Sequence, residues 1–301
     1  MSDRQVKAFG ELFLRTDLAL FQTAMDGGLR DSPLRGVAWR FFLGALSGPP
    51  GNWAEQIQSQ VVDFDNLCVK HCVDPSAAAD AEDADLAIAN PLSTAEESPF
   101  NKFFASSAMR EQIDQDLARL YPGDTFVARP EVQRLMHRIL FIWASSHPEI
   151  SYRQGMHELL APLLMTAWSE AEEAEDSAAT REAASLETPE GTGTGDSGAV
   201  KEAANAASAR TLLAEVLTLQ TVEATTWALF SQLMRAAGEF FEPGTRLPPA
   251  VEPPTTPLLR MCTHIQSTRL AASDPSLHAR VVALGLEPQL YLLRWLRGRG
   301  K

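Results

Sequence analysis

The chain has 301 residues, 45% of them apolar and 22% charged, with a formal net charge of −13. That is enough apolar material for one large folded unit or two smaller ones. The acidity is local. Residues 74–97 carry seven carboxylates and no cation, residues 169–209 carry ten against two cations, and the rest of the chain stands at +2. A near-neutral body with no basic stripe argues against nucleic-acid binding.

The longest nearly unbroken apolar run, Leu159 to Trp168, falls short of the ~18 residues a membrane span requires. The start, Met1-Ser2-Asp3-Arg4, lacks a basic and then apolar secretory signal, so a cytosolic location is expected. Three cysteines, Cys68, Cys72 and Cys262, make no disulfide framework, as suits a reducing compartment. Cys68-x-x-His71-Cys72 has no second ligand cluster to complete a metal site, and no metal is expected.

In chain order, Val6, Phe9, Phe13, Leu18 and Phe21 recur at helical spacing, predicting one or two short helices over Gln5–Met25. Phe9-x-x-Leu12 also has the spacing of short peptide-docking motifs, although an amphipathic helix accounts for it better. A compact helix is predicted over Leu34–Gly44, behind Ser32-Pro33 and ending at glycine, and another over Trp53–Val73, stopped by Asp74-Pro75. Residues 76–98, rich in Ala, Asp and Glu, read as a mobile loop. Within it Asn90-Pro91-Leu92-Ser93 reads, on its own, as a turn.

Ile113, Leu117 and Leu120 fall on one helical stripe, with Asp116 and Arg119 paired three apart on another face. Val132, Leu135, Met136, Ile139, Leu140 and Trp143 give the clearest helix, ending near His147-Pro148. Tyr152-Arg153-Gln154-Gly155 then forms a junction before an apolar helix over Met156–Trp168. Residues 169–209, centred on Gly191-Thr-Gly-Thr-Gly, read as a second low-complexity insertion, with helix resuming over Thr211–Phe241. Beyond a proline-rich segment, 243–257, two further helical patterns cover Leu258–Leu270 and Leu277–Leu296. No run alternates as a strand would, so the chain is expected to be all-α.

Motifs for independent catalysis fail on inspection. His157-Glu158 would need a second histidine where Ala161 stands, and the glycine run has no Gly-Lys-Ser/Thr ending. The histidines show no triad spacing. Arg119 and Gln154 each stand in a short motif from which they could reach one external site, although taken alone the first reads as a solvated helix residue and the second as a helix-cap or hydrogen-bonding residue. Such a pair suits a protein that completes another protein's phosphate chemistry, which needs positive charge on the transferring group and an oriented water.

Several motifs occur together in order: Arg35, Trp39, Leu43 and Gly44; then Ile113-x-x-Asp116-x-x-Arg119; then Tyr152-x-Gln154-Gly155. In this the chain resembles the TBC family of Rab GTPase-activating proteins. Asn90-Pro91-Leu92-Ser93, Gln154-Gly155-Met156-His157-Glu158-Leu159 and Phe230-Ser231-Gln232-Leu233-Met234 resemble a branch of that family which works with the retromer coat on endosomes. Leu120 stands where the family commonly has threonine.

The resemblance implies an all-α TBC domain of two helical lobes over 31–297, with a helical segment over 1–30, a tail at 298–301 and insertions at 74–98 and 169–209. Family domains continue beyond the equivalent of Arg297, so a C-terminal lobe cut short is expected. It implies catalytic roles for Arg119, on the γ-phosphate, and Gln154, on the attacking water. Asp116, Tyr152 and Gly155 are implied as their supports. No cofactor of its own is implied, because GTP and Mg²⁺ come with the Rab partner. It further implies a Rab7-like GTPase, a peripheral place on endosomal membranes, and a retromer contact through Pro91 and Leu92. The competing expectation is a non-catalytic retromer or Rab-binding adaptor.

Overall fold

In the computed structural model, residues 1–14, 17–72, 99–185, 197–241 and 257–296 are described. Among them the structure is all helical, with no strand. Pro91 and Leu92 lie outside the described residues, so the anchor reading has no structural counterpart here.

The N-terminal helices form where caps and apolar spacing agree. α1 (Asp3–Phe13) starts at a capping box, in which Ser2 Oγ accepts from Gln5 N–H at 3.0 Å and Gln5 Oε1 accepts from Ser2 N–H at 3.2 Å. Its Phe9 and Leu12 are buried, so the Phe-x-x-Leu spacing is spent on packing rather than on an exposed docking motif. α2 (Asp17–Met25) follows, then α3 (Arg35–Phe42). α3 ends in a Schellman turn: Gly44 N–H donates to Phe41 O and Ala45 N–H to Arg40 O, with Gly44 at φ 77°. That left-handed position explains the glycine of the first motif.

Arg35 and Trp39 of the same motif are also accounted for locally. The Arg35 guanidinium lies 5.2 Å from the Trp39 ring centroid and donates to Thr166 Oγ1 at 3.3 Å. The first contact lies within α3 itself, and the second ties α3 to the helix that carries Thr166.

α4 (Trp53–His71) precedes α5 (Pro99–Ala118), and α6 (Pro130–Ser146) is the central helix, packed by α4, α5, α7 (Met156–Ser185) and α9 (Val222–Ala237). Pro130 opens α6 at the first helical position, where its missing N–H costs nothing. The sequence stripe Val132, Met136, Ile139, Leu140 and Trp143 is buried, and Phe141, Ile142 and Ala144 are buried beside it. The second half of α6 is therefore enclosed all round, as a core helix should be.

The second insertion is narrower than its composition suggests. α7 continues to Ser185, and α8 (Ser197–Val216) begins well before Thr211. Ala171, Ala174 and Ala209 are buried within the span read as an insertion. Alanine has the best intrinsic helix propensity and fits a close helix contact, so a segment without large apolar residues still folds here. The same span supplies Glu170, which is buried, accepts from Gly36 N–H and thereby fastens α7 to the start of α3. Burial pushes its carboxyl up to about 7, against the opposing pull of Gly36 N–H and the Arg40 guanidinium.

Past Phe241 the character changes. α10 (Pro257–His264) runs through a π-helical turn, Ile265–Leu270, into Ala271–Ser273. α11 (Pro275–Ala283), capped by Asp274 Oδ1 on Leu277 N–H, and α12 (Gln289–Leu296) complete the fold. α10 meets the 3₁₀ turn Gly238–Phe240 and packs against α12. Of the described residues beyond Phe241, only Cys262 is buried among the apolar ones.

Candidate functional site

Arg119 stands one residue beyond the end of α5. The last turn tightens, with Arg119 N–H donating to Asp116 O at 3.2 Å and Leu120 N–H to Leu117 O at 3.1 Å. Ile113, Leu117 and Leu120 are all buried in the main core, so the stripe read from the sequence clamps the backbone on both sides of Arg119. Leu120 thus uses its position for anchoring. The chain leaves through Tyr121 at φ 44° and Gly123 at φ 89°, a sharp turn in which Tyr121 holds a left-handed backbone that few non-glycine residues adopt.

The Arg119 side chain is 69% exposed, yet it is held at two points. Its Nε–H donates to Gln115 O at 3.0 Å, capping the carbonyl end of α5. Its Nη2–H donates to Asp116 Oδ1 at 2.8 Å. An arginine fork has five donors, and these two contacts leave three, the Nη1 pair and the second Nη2–H, for an acceptor from outside.

Asp116 is buried and its second oxygen is used as well: Tyr152 Oη–H donates to Asp116 Oδ2 at 3.0 Å. The Tyr152 hydroxyl is held well above the usual tyrosine range, by burial first and then by the Asp116 carboxylate. It keeps its proton and remains a donor. Tyr152 also lies 3.0 Å from His157 Nδ1. His157 is buried on the first turn of α7 and completes the network Arg119–Asp116–Tyr152–His157.

The loop between α6 and α7 is built to turn sharply. His147 caps α6, its Nδ1 within 2.8 Å of Trp143 O and its ring stacked on Trp143. Ser151 N–H donates to His147 O at 2.8 Å, and Ser151 lies at φ 57°. Tyr152 then points into the core while Arg153 and Gln154 are exposed. Gly155 at φ 101° turns the chain into α7, with buried Met156 directly after it. Any other residue at Gly155 is strained, and the position of Gln154 depends on that turn.

The structure bonds three of the five residues singled out around the loop and the α5 end to one another. Arg119, Asp116 and Tyr152 are directly bonded, and Gln154 sits two residues from Tyr152 on the exposed edge. Gly155 acts through backbone conformation. His157 was missed as a site residue. In the sequence it figures in a failed metal motif and in a stretch that resembles the family, with no role of its own, and the turn at Gly155 folds it back onto Tyr152. Among the described residues no group of three or more His, Cys, Asp or Glu side chains is placed to hold a metal, and no helix is long and apolar enough to cross a membrane.

Comparison with known proteins agrees with the all-helical fold. The Rab-GTPase-TBC domain profile matches residues 32–298. TBC1 domain family member 5 of Mus musculus is 28% identical over 97% of this chain and 34% of its own length. TBC1 domain family member 5 homolog B of Dictyostelium discoideum is 39% identical over 48% of this chain and 14% of its own. The chain spans about a third of the mouse relative's length. The crystal structure of the Ypt/Rab-GAP domain of Gyp1p superposes with a TM-score of 0.58 at 15% identity, covering 97% of this chain and 72% of that one. The chain belongs to the Rab-GTPase-TBC domain family.

Proposed function

We propose that this protein accelerates GTP hydrolysis on a Rab GTPase by inserting two side chains, Arg119 and Gln154, into the partner's nucleotide site. The observation that carries this is the support of an exposed guanidinium by a buried carboxylate, Asp116, whose other oxygen is bonded to Tyr152 at the base of the glutamine loop. A charged donor fixed in advance loses little freedom when it meets developing negative charge. Gln154, with an amide that both donates and accepts, suits the orientation of water. GTP and Mg²⁺ come with the Rab, and this chain supplies no cofactor.

The finer assignment follows family likeness. We place the activity on a Rab7-like GTPase, in the cytoplasm and at the surface of endosomal membranes, with retromer contacted through Pro91 and Leu92. Retromer capture by the full chain, lost on Leu92→Asp, tests the last point; capture unchanged in that variant rules out the anchor. The adaptor alternative gains nothing from an intact Arg119–Asp116–Tyr152 network, because a passive binder has no use for it. Single-turnover hydrolysis on a Rab panel separates the two readings. An activator gives Rab-dependent acceleration that falls by ~10³-fold or more in Arg119→Ala, whereas an adaptor binds without acceleration.

A further inference from the structure

Hydrogen-bond accounting around Tyr152 fixes a proton that the two fingers do not. A carboxylate only accepts, and a tyrosine hydroxyl has one proton. Asp116 Oδ1 takes a proton from Arg119 and Oδ2 takes the one from Tyr152. With its single proton committed to Asp116, Tyr152 Oη can only accept from its other neighbour, His157 Nδ1, at 3.0 Å. Nδ1 must then carry hydrogen. The imidazole is too far to serve Asp116 directly, since Nδ1 lies 3.8 Å from Oδ2. Tyr152, within hydrogen-bond distance of both, bridges them.

We infer that His157 is a positioning residue for Arg119: its Nδ1–H donates to Tyr152 Oη, which orients the hydroxyl toward Asp116 and so holds the carboxylate that aims the guanidinium. This rests on the proposed GTPase-activating function for its kinetic meaning, but the proton assignment stands on geometry alone. The network is convergent, with every proton pointing toward Asp116 from both ends. His157, Tyr152 and Asp116 are buried and Arg119 is exposed, so the chain of bonds carries order from the core to the surface. The raised Tyr152 hydroxyl is consistent with its staying a donor throughout.

Two measurements on the full chain test this. Long-range ¹H–¹⁵N NMR of the histidine side chains should show His157 protonated at Nδ1, with its signals moving in Tyr152→Phe. A neutral ring protonated only at Nε2 would overturn the inference, whatever the activity proves to be. In single-turnover hydrolysis, His157→Leu, which has no donor, should slow the catalytic step about 10-fold with unchanged affinity for the GTP-analogue-loaded Rab. His157→Asn, which restores an N–H near the same place, should recover to within about 3-fold of wild type. In an Arg119→Ala background His157→Leu should have no further effect. Equal slowing in both backgrounds, or a His157→Leu variant as fast as wild type, overturns the role. Failure of the wild type on every Rab instead overturns the proposed function, and the NMR result still decides the proton.

Discussion

The end of α5 and the start of α7 differ sharply from the C-terminal helices, α10 to α12. At the first place polar groups are buried and paired, and they rest on Ile113, Leu117, Leu120, Met156 and Leu160, all within the main core. At the second, large apolar residues face outward: Leu277, Val282, Leu284, Leu286 and Leu290 are all exposed, Leu290 at 72%. The contrast separates local order from burial. α11 is capped by Asp274 at its start and closed by a Schellman turn of Gly285 N–H on Val282 O and Leu286 N–H on Val281 O, but none of its residues is buried. At the α5 end the exposed arginine is fixed from beneath by Asp116, and the exposed glutamine stands in a loop shaped by the positive φ of Ser151 and Gly155.

Substitutions in the two regions should therefore differ in size. The largest stability loss is expected from Ile139→Ala in α6, fully buried among the core helices, at about 3 kcal/mol in denaturant unfolding. Glu170 comes next and adds a pH signature. Its carboxyl is raised to about 7 from 4.5, mainly by burial, so the folded state holds a proton that the unfolded state gives up between those values. Stability from this group is full below about pH 4.5 and is lost as pH rises through about 7. Relative to Glu170→Gln, wild type should lose roughly 3 kcal/mol over that window.

Asp116→Asn should cost about 1 to 2 kcal/mol of stability, by breaking the paired carboxylate beneath Arg119. It should also lower activation of the Rab more than that loss explains, as seen by comparing melting with single-turnover rate. The smallest effect is expected from Leu290→Ser on α12, within about 0.5 kcal/mol by the same unfolding assay. A loss comparable to that of Ile139→Ala would show that the C-terminal helices are covered in solution and would remove the contrast.

The legible parts of this molecule were those with large apolar residues at regular spacing. The α6 stripe, the Ile113–Leu117–Leu120 anchor and the stop at His147 all follow from side-chain size and period. The continuation of α7 past Trp168 did not, because its buried residues there are alanines and a glutamate, which composition reads as solvated. Glu170 is internal only because Gly36 lies opposite to donate to it, a pairing 134 residues apart. The site was half legible. Asp116 and Arg119 are neighbours on one helix end, and their bond follows from spacing, whereas the Tyr152–Asp116 bond spans 36 residues and needs the packed α5–α7 arrangement. His157 stood in a motif that resembled the family, but nothing local pointed to its bond with Tyr152, which depends on the positive φ of Gly155.

The central claim is that Arg119 and Gln154 act together in trans on one GTPase. Single-turnover GTP hydrolysis across a Rab panel that includes a Rab7-like member tests it most directly, with wild type, Arg119→Ala and Gln154→Ala compared at equal, saturating concentration. The account predicts strong acceleration of at least one Rab by wild type, a loss of ~10³-fold or more for Arg119→Ala and about 10²-fold for Gln154→Ala. Three proteins indistinguishable on every Rab would contradict it.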